Sequence, residues 1–140
     1  MDFDDRTKIK CGNYRSAEWQ LRRLSKWWDE NHQLAGLPHA AFCSFIDFPL
    51  ATRGAVRARA NGWKWWYPNC LFALARGGYG SLFVYLRGKS GLPVGLTVEE
   101  RDVKEQLEIA GNLVCVAQTW VEVVEVLSNY LAGKIVKPEE

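Results

Sequence analysis

Histidine is scarce, with two residues in 140, and the four cysteines (Cys11, Cys43, Cys70 and Cys115) are scattered along the chain. No Cys-x-x-Cys occurs and no histidine stands at ligand spacing from a cysteine, which excludes zinc-finger and dithiol redox motifs. The thiols read as buried small apolar groups. His32 and His39 flank Gly36-Leu37-Pro38 and read as loop residues. No run of eighteen apolar residues is present, so no membrane-spanning helix is expected. The first residues, Met1-Asp2-Phe3-Asp4-Asp5, are acidic and lack the apolar centre of a secretory signal. The expectation is a soluble cytoplasmic protein without contact to a membrane. There is no internal repeat, linker or low-complexity stretch. With 48% apolar and 24% charged residues the chain has ordinary globular composition. Its length suits one domain that needs neither disulfide nor metal to fold.

Tryptophan and an uneven charge are what it has in excess. Seven Trp are present, five of them in two clusters, Trp27-Trp28 and Trp63-Lys64-Trp65-Trp66-Tyr67. Exposed Trp is uncommon unless it serves an interface. The formal net charge is only +2. Residues 1–98 nevertheless carry fourteen Lys/Arg against seven Asp/Glu, and residues 99–140 carry four against nine. A basic first part can bind phosphates or an acidic protein.

Apolar periodicity divides residues 13–134 into eight elements, after an arm at 1–12 and before a tail at 135–140. Ser16 is placed to cap a helix running to about Glu30, with Ala17, Leu21, Leu24 and Trp28 as its buried stripe. A strand follows from Ala41 to Phe48, stopped by Pro49. Thr52 opens a short helix that ends at Asn61-Gly62 and carries Arg53, Arg57 and Arg59 with no acid. Asn69–Ala75 and Ser81–Arg87 are strands joined by the turn Arg76-Gly77-Gly78-Tyr79-Gly80, a hairpin signal. Thr97-Val98-Glu99-Glu100 fits a capping box for a helix to Ala110, with Val103, Leu107 and Ala110 inward. Leu113–Ala117 is a strand, and Thr119-Trp120-Val121-Glu122 a second capping box for a last helix with Trp120, Val123, Val124, Leu127 and Leu131 inward. The order α-β-α-β-β-α-β-α defines an α/β domain with a mixed four-stranded sheet flanked by helices.

Several stretches carry a resemblance. Pro68-Asn69-Cys70-Leu71-Phe72, the turn Arg76-Gly77-Gly78-Tyr79 and Leu82-Phe83-Val84-Tyr85-Leu86-Arg87 follow one another in register. Ala55-Val56-Arg57-Ala58-Arg59-Ala60-Asn61-Gly62 precedes them and Leu96-Thr97-Val98-Glu99-Glu100 follows. From about Ala17 to Leu131 the chain resembles the small stand-alone VRR-NUC nucleases, which have the PD-(D/E)xK restriction-endonuclease-like fold. In that family two strand carboxylates hold Mg²⁺ and a nearby Lys stabilises charge, so the resemblance implies metal-dependent cleavage of nucleic acid. Here the Asp position holds Asn69, the Glu position Tyr85, the Lys position Arg87, and the helix Gln is Glu100. Gln20 matches the family's first-helix Gln. An amide and a phenol are poor Mg²⁺ donors.

The resulting expectation is a nuclease scaffold with its metal site dismantled, no catalytic residues and no cofactor. It acts as a phage or mobile-element inhibitor of a host defence complex, anti-CRISPR-like, by steric block or by competing for a nucleic-acid site. Its binding residues are Arg53, Arg57, Arg59, Trp63, Lys64, Trp65, Trp66 and Trp27. Two alternatives stand beside it. One is a Mg²⁺-dependent endonuclease with a relocated site at Glu18, Asp47 and Glu100. The other is a DNA-binding module, with a homodimer as a further option.

Overall fold

The computed structural model describes residues 16–45, 53–62, 66–88 and 95–139. Within them lie α1 (Ala17–Asn31), a 3₁₀ turn (His39–Ala41), β1 (Phe42–Ser44), α2 (Arg53–Ala60), β2 (Cys70–Phe72), β3 (Leu82–Leu86), α3 (Val98–Ile109), β4 (Leu113–Ala117) and α4 (Trp120–Leu131). The sheet runs β1-β2-β3-β4. Its first two pairings are antiparallel, with Phe42 opposite Phe72 and Leu71 opposite Phe83. The third is parallel, with Val84 opposite Cys115. The expected order and the mixed sheet are those observed. No helix among the described residues is long and apolar enough to cross a membrane.

Local chemistry accounts for the element ends. Ser16 accepts the Trp19 amide at 3.2 Å and starts α1. Thr97 and Glu100 close a complete capping box on α3. The second box is only half made. Thr119 accepts the Glu122 amide at 3.3 Å, but the Glu122 carboxylate takes the Gln118 amide, one residue further back, at 2.7 Å. The β2–β3 turn places Gly77 and Gly78 at φ +59° and +90°. Positive φ at both central positions gives a turn whose twist matches the strands, and glycine adopts it without strain. Residues beyond α4 pack back onto this turn, where the Lys137 amide donates to the Gly77 carbonyl at 2.8 Å.

Strand alternation sorts side chains to the two faces of the sheet. One face meets α1 and α4 in the main core, built from Leu24, Trp28, Phe72, Val84, Trp120 and Leu127 among others. The other carries a smaller cluster of Phe83, Tyr85 and Val114, with Leu71, Leu96 and Leu107 packed against it. Three details differ from the periodicity. Ala110 is exposed at the C-cap of α3, just before Gly111 at φ +98°. Leu131 and Ala17 are half-buried, each lying at the end of its helix. The strands are shorter than their apolar runs, and the part of the Ala41–Phe48 run from residue 46 lies outside the described residues.

Candidate functional site

Asn69 immediately precedes β2. Its side-chain amide behaves as an extra rung of the ladder. Nδ2 donates to the Leu86 carbonyl at 2.8 Å, and Oδ1 accepts the Leu86 amide at 2.7 Å. Its own carbonyl accepts the Phe45 amide at 2.8 Å. One residue therefore ties β1, β2 and β3 together. A carboxylate could accept the Leu86 amide but has no hydrogen to give the carbonyl.

Tyr85 lies on β3 with its ring buried in the smaller cluster. Its hydroxyl donates to the Trp66 carbonyl at 2.5 Å and lies 3.3 Å from the Glu100 carbonyl. Burial, then the charge of Glu100, push the phenol well above its ordinary range, so it stays neutral. Arg87 follows β3. Its guanidinium lies 5.5 Å from the centre of the Tyr85 ring, donates to the Gly95 carbonyl at 3.1 Å and pairs with the Glu100 carboxylate.

Glu100 does two jobs from the first turn of α3. Its Oε1 accepts the Thr97 amide at 3.0 Å as a helix cap, and it takes the Arg87 guanidinium. The residue is only 7% exposed. Burial alone would raise its carboxyl. The Arg87 and Thr97 hydrogen bonds outweigh that and hold it below the usual carboxylate range. Asn69, Tyr85, Arg87 and Glu100 are thus brought to one place by three elements, and the polar groups described are bonded to protein.

A magnesium ion does not fit this donor set. Mg²⁺ needs hard anionic oxygens in octahedral array. Among the described residues of this network there is one carboxylate, Glu100, and a cation already holds it. Displacing Arg87 would leave a part-buried charge without its partner. Among the described residues, no three His, Cys, Asp or Glu side chains converge as metal ligands.

Of the relocated-site residues, Glu100 lies in this network. Glu18 is exposed on the first turn of α1 and pairs with Arg22 at 2.7 Å. Asp47 lies outside the described residues. Gln20 is fully buried and accepts the Trp120 amide at 2.9 Å, a link between α1 and α4.

The binding candidates divide. Arg53, Arg57 and Arg59 are exposed on α2. Trp66 is 46% exposed. Trp63, Lys64 and Trp65 lie outside the described residues. Trp27, expected at an interface, is half-buried against the main core with its indole nitrogen covered. It lines a cleft of about 270 Å³ together with Trp28, Leu37, Leu127 and Leu131. Tyr67 is half-buried, its ring edge-on to Phe83 at 5.7 Å. His39 Nε2 donates to the Asp29 carboxylate at 2.7 Å and His32 Nδ1 donates to the Leu37 carbonyl at 2.9 Å, so both histidines tie their loop to α1. What the residues alone did not reveal is the tie from Tyr85 to Trp66. No local pattern signals a bond across nineteen positions.

The antiparallel hairpin, the parallel fourth strand and the helices on both faces define an α/β domain with a mixed sheet. A solved structure of a VRR_NUC domain protein matches it with a TM-score of 0.67, covering 86% of this chain and 91% of that chain at 18% identity. The fold is VRR-NUC-like over most of the chain. No family model matches the sequence, and a sequence search of curated proteins gave no match.

Proposed function

We propose that the chain is a non-catalytic binding protein on a VRR-NUC-like nuclease scaffold. The observation that carries this reading is the closed network at the former metal positions. Asn69 is used as a backbone surrogate, Tyr85 as a neutral hydrogen-bond donor, and Arg87 neutralises the one remaining carboxylate, Glu100. Metal-assisted hydrolysis needs a cation to polarise the phosphate and activate water. A site with neutral residues at both strand-acid positions, and with Arg87 paired to Glu100, supplies neither the affinity nor the open coordination.

Within that class, the finer reading is an inhibitor of the anti-CRISPR kind that docks on a protein complex of a host defence system. Its support is the retained scaffold with a rebuilt site, together with the exposed arginines of α2 and the exposed Trp66.

The test is incubation of the purified protein with single-stranded, duplex and branched DNA in Mg²⁺ and, separately, Mn²⁺. A Glu18→Gln, Asp47→Asn, Glu100→Gln variant controls for contaminating nuclease. The expected result is no cleavage in either metal, and no heat of Mn²⁺ binding by calorimetry. Cleavage by the natural chain that the variant lacks would overturn the proposal and establish the relocated site.

A further inference from the structure

α2 is followed at once by the one Asn-Gly pair of the chain, Asn61-Gly62. Both residues are exposed, and Gly62 has a positive φ of +99°. A Cβ built on Gly62 would meet nothing within 4 Å. The side-chain carbonyl carbon of Asn61 is thus followed along the chain by a backbone nitrogen that no side chain shields. Asparagine is among the chemically labile residues, and this is the setting that exposes its lability.

Two hydrogen bonds restrain the reacting groups. Asn61 Nδ2 donates to the Arg57 carbonyl at 2.9 Å, and the Gly62 amide donates to the Arg59 carbonyl at 3.0 Å. Both acceptors belong to the last turn of α2, where carbonyls have no partner inside the helix. Helix ends open at low free energy, so these bonds slow a reaction without stopping it. Asn69 and Asn112 differ. Each precedes a residue with a side chain, Cys70 or Leu113, and their amides are held by the Leu86 and Leu107 carbonyls in the body of the fold.

We propose that Asn61 is a site of spontaneous deamidation, gated by opening of the last turn of α2. In the open state the Gly62 nitrogen gives its proton to a solvent base and attacks Asn61 Cγ. The new N–C bond closes a succinimide ring as the bond from Cγ to the side-chain nitrogen breaks, and that nitrogen leaves as ammonia. Water then opens the ring at either carbonyl. The product carries a carboxylate at position 61 on a normal or an isoaspartyl backbone. Water is the one co-reactant, and no oxidant or enzyme is needed. The change acts on α2 twice. The bond from Nδ2 to the Arg57 carbonyl is lost, and a negative charge stands at the helix end that already carries partial negative charge. α2 holds Arg53, Arg57 and Arg59 and no acid, so the new carboxylate also offsets part of its positive charge. This inference goes beyond the non-catalytic reading and does not depend on it.

The experiment incubates the purified chain at physiological temperature, at neutral and at mildly alkaline pH, beside a sample unfolded in guanidinium chloride. Trypsin releases Ala60 to Lys64 as one peptide, and mass spectrometry with chromatography separates the amide from the two acidic products. Conversion at Asn61 is expected in the folded chain, faster at the higher pH. It should be about fivefold or more slower than in the unfolded chain, because the two hydrogen bonds must first break. Asn69 and Asn112 should stay intact over the same period. Asn61→Asp, which supplies the charge from the start, should speed hydrogen exchange of residues 53–62 about threefold and leave α1 and α4 unchanged. No conversion in the folded chain after roughly thirty half-lives of the unfolded one would overturn the proposal. Equal rates in the two states would remove the gating by α2. Unaltered exchange in Asn61→Asp would remove the effect on the helix.

Discussion

On the sheet face toward α1 and α4, Leu82, Val84 and Leu86 of β3 meet a continuous apolar layer that includes Leu24, Trp28, Trp120 and Leu127. On the opposite face, Phe83 and Tyr85 of the same strand meet Val114 and a few half-buried neighbours, and the cluster gives way to the Asn69–Tyr85–Arg87–Glu100 network. One strand serves both because its side chains alternate. The first face is dry, deep and dominated by area removed from water. The second is thin and polar, so its residues can change role without emptying the main core. That division lets polar residues on the thin face differ without disturbing the main core of the VRR-NUC-like fold.

Substitutions separate the two faces by size of effect. Trp28→Ala opens the main core and is expected to cost about 4 kcal/mol. Leu107→Ala, half-buried on the thin face, should cost about 1 kcal/mol. Urea denaturation measures both, and equal losses would break the contrast. Asn69→Asp places a carboxylate at this position and should destabilise by about 2 kcal/mol at neutral pH, because the Leu86 carbonyl loses its donor. The loss should narrow in acid, where a protonated carboxyl can donate again. Thermal unfolding at two pH values reads this directly, and a variant as stable as the natural chain would deny Asn69 its ladder role.

Arg87→Ala comes next, at about 2 kcal/mol, since it strips the partner from a carboxylate that is almost covered. Its pH dependence sharpens the point. The Glu100 carboxyl is held below its ordinary value, so the pair contributes above the unfolded pKa of about 4.3 and fades as pH falls further. In the variant burial dominates and raises that carboxyl, so the acid-side loss should shrink. An unchanged acid limb of the stability profile would show that the pair is not the source. Smallest is Glu18→Ala. It breaks an exposed i,i+4 pair with Arg22 and should shift stability by no more than about 0.5 kcal/mol. A larger effect would mean that Glu18 has a second partner.

Much of this was readable in advance because it is local. Helix starts at Ser16 and Thr97 follow from side chains that can reach amides three residues on. The Gly77-Gly78 turn follows from a backbone region that only glycine enters freely. The strand and helix order follows from period-two and period-3.6 patterns. The absence of carboxylates at positions 69 and 85 is itself a sequence fact, and it alone placed catalysis in doubt.

The chain by itself thus determined its elements, their order, the asymmetric charge and the neutral residues at positions 69 and 85. Only the tertiary structure decided what the substitutes do. Asn69 became a ladder rung, Tyr85 an anchor for Trp66, and Glu100 both cap and ion-pair partner. It also set Trp27 half-buried against the main core and showed Gln20 as a link to α4. These roles depend on contacts between residues far apart in sequence. Their energies arise from burial and from which donor happens to face which acceptor. No periodicity along the chain encodes that meeting, because it exists only once the sheet has brought the strands and helices together.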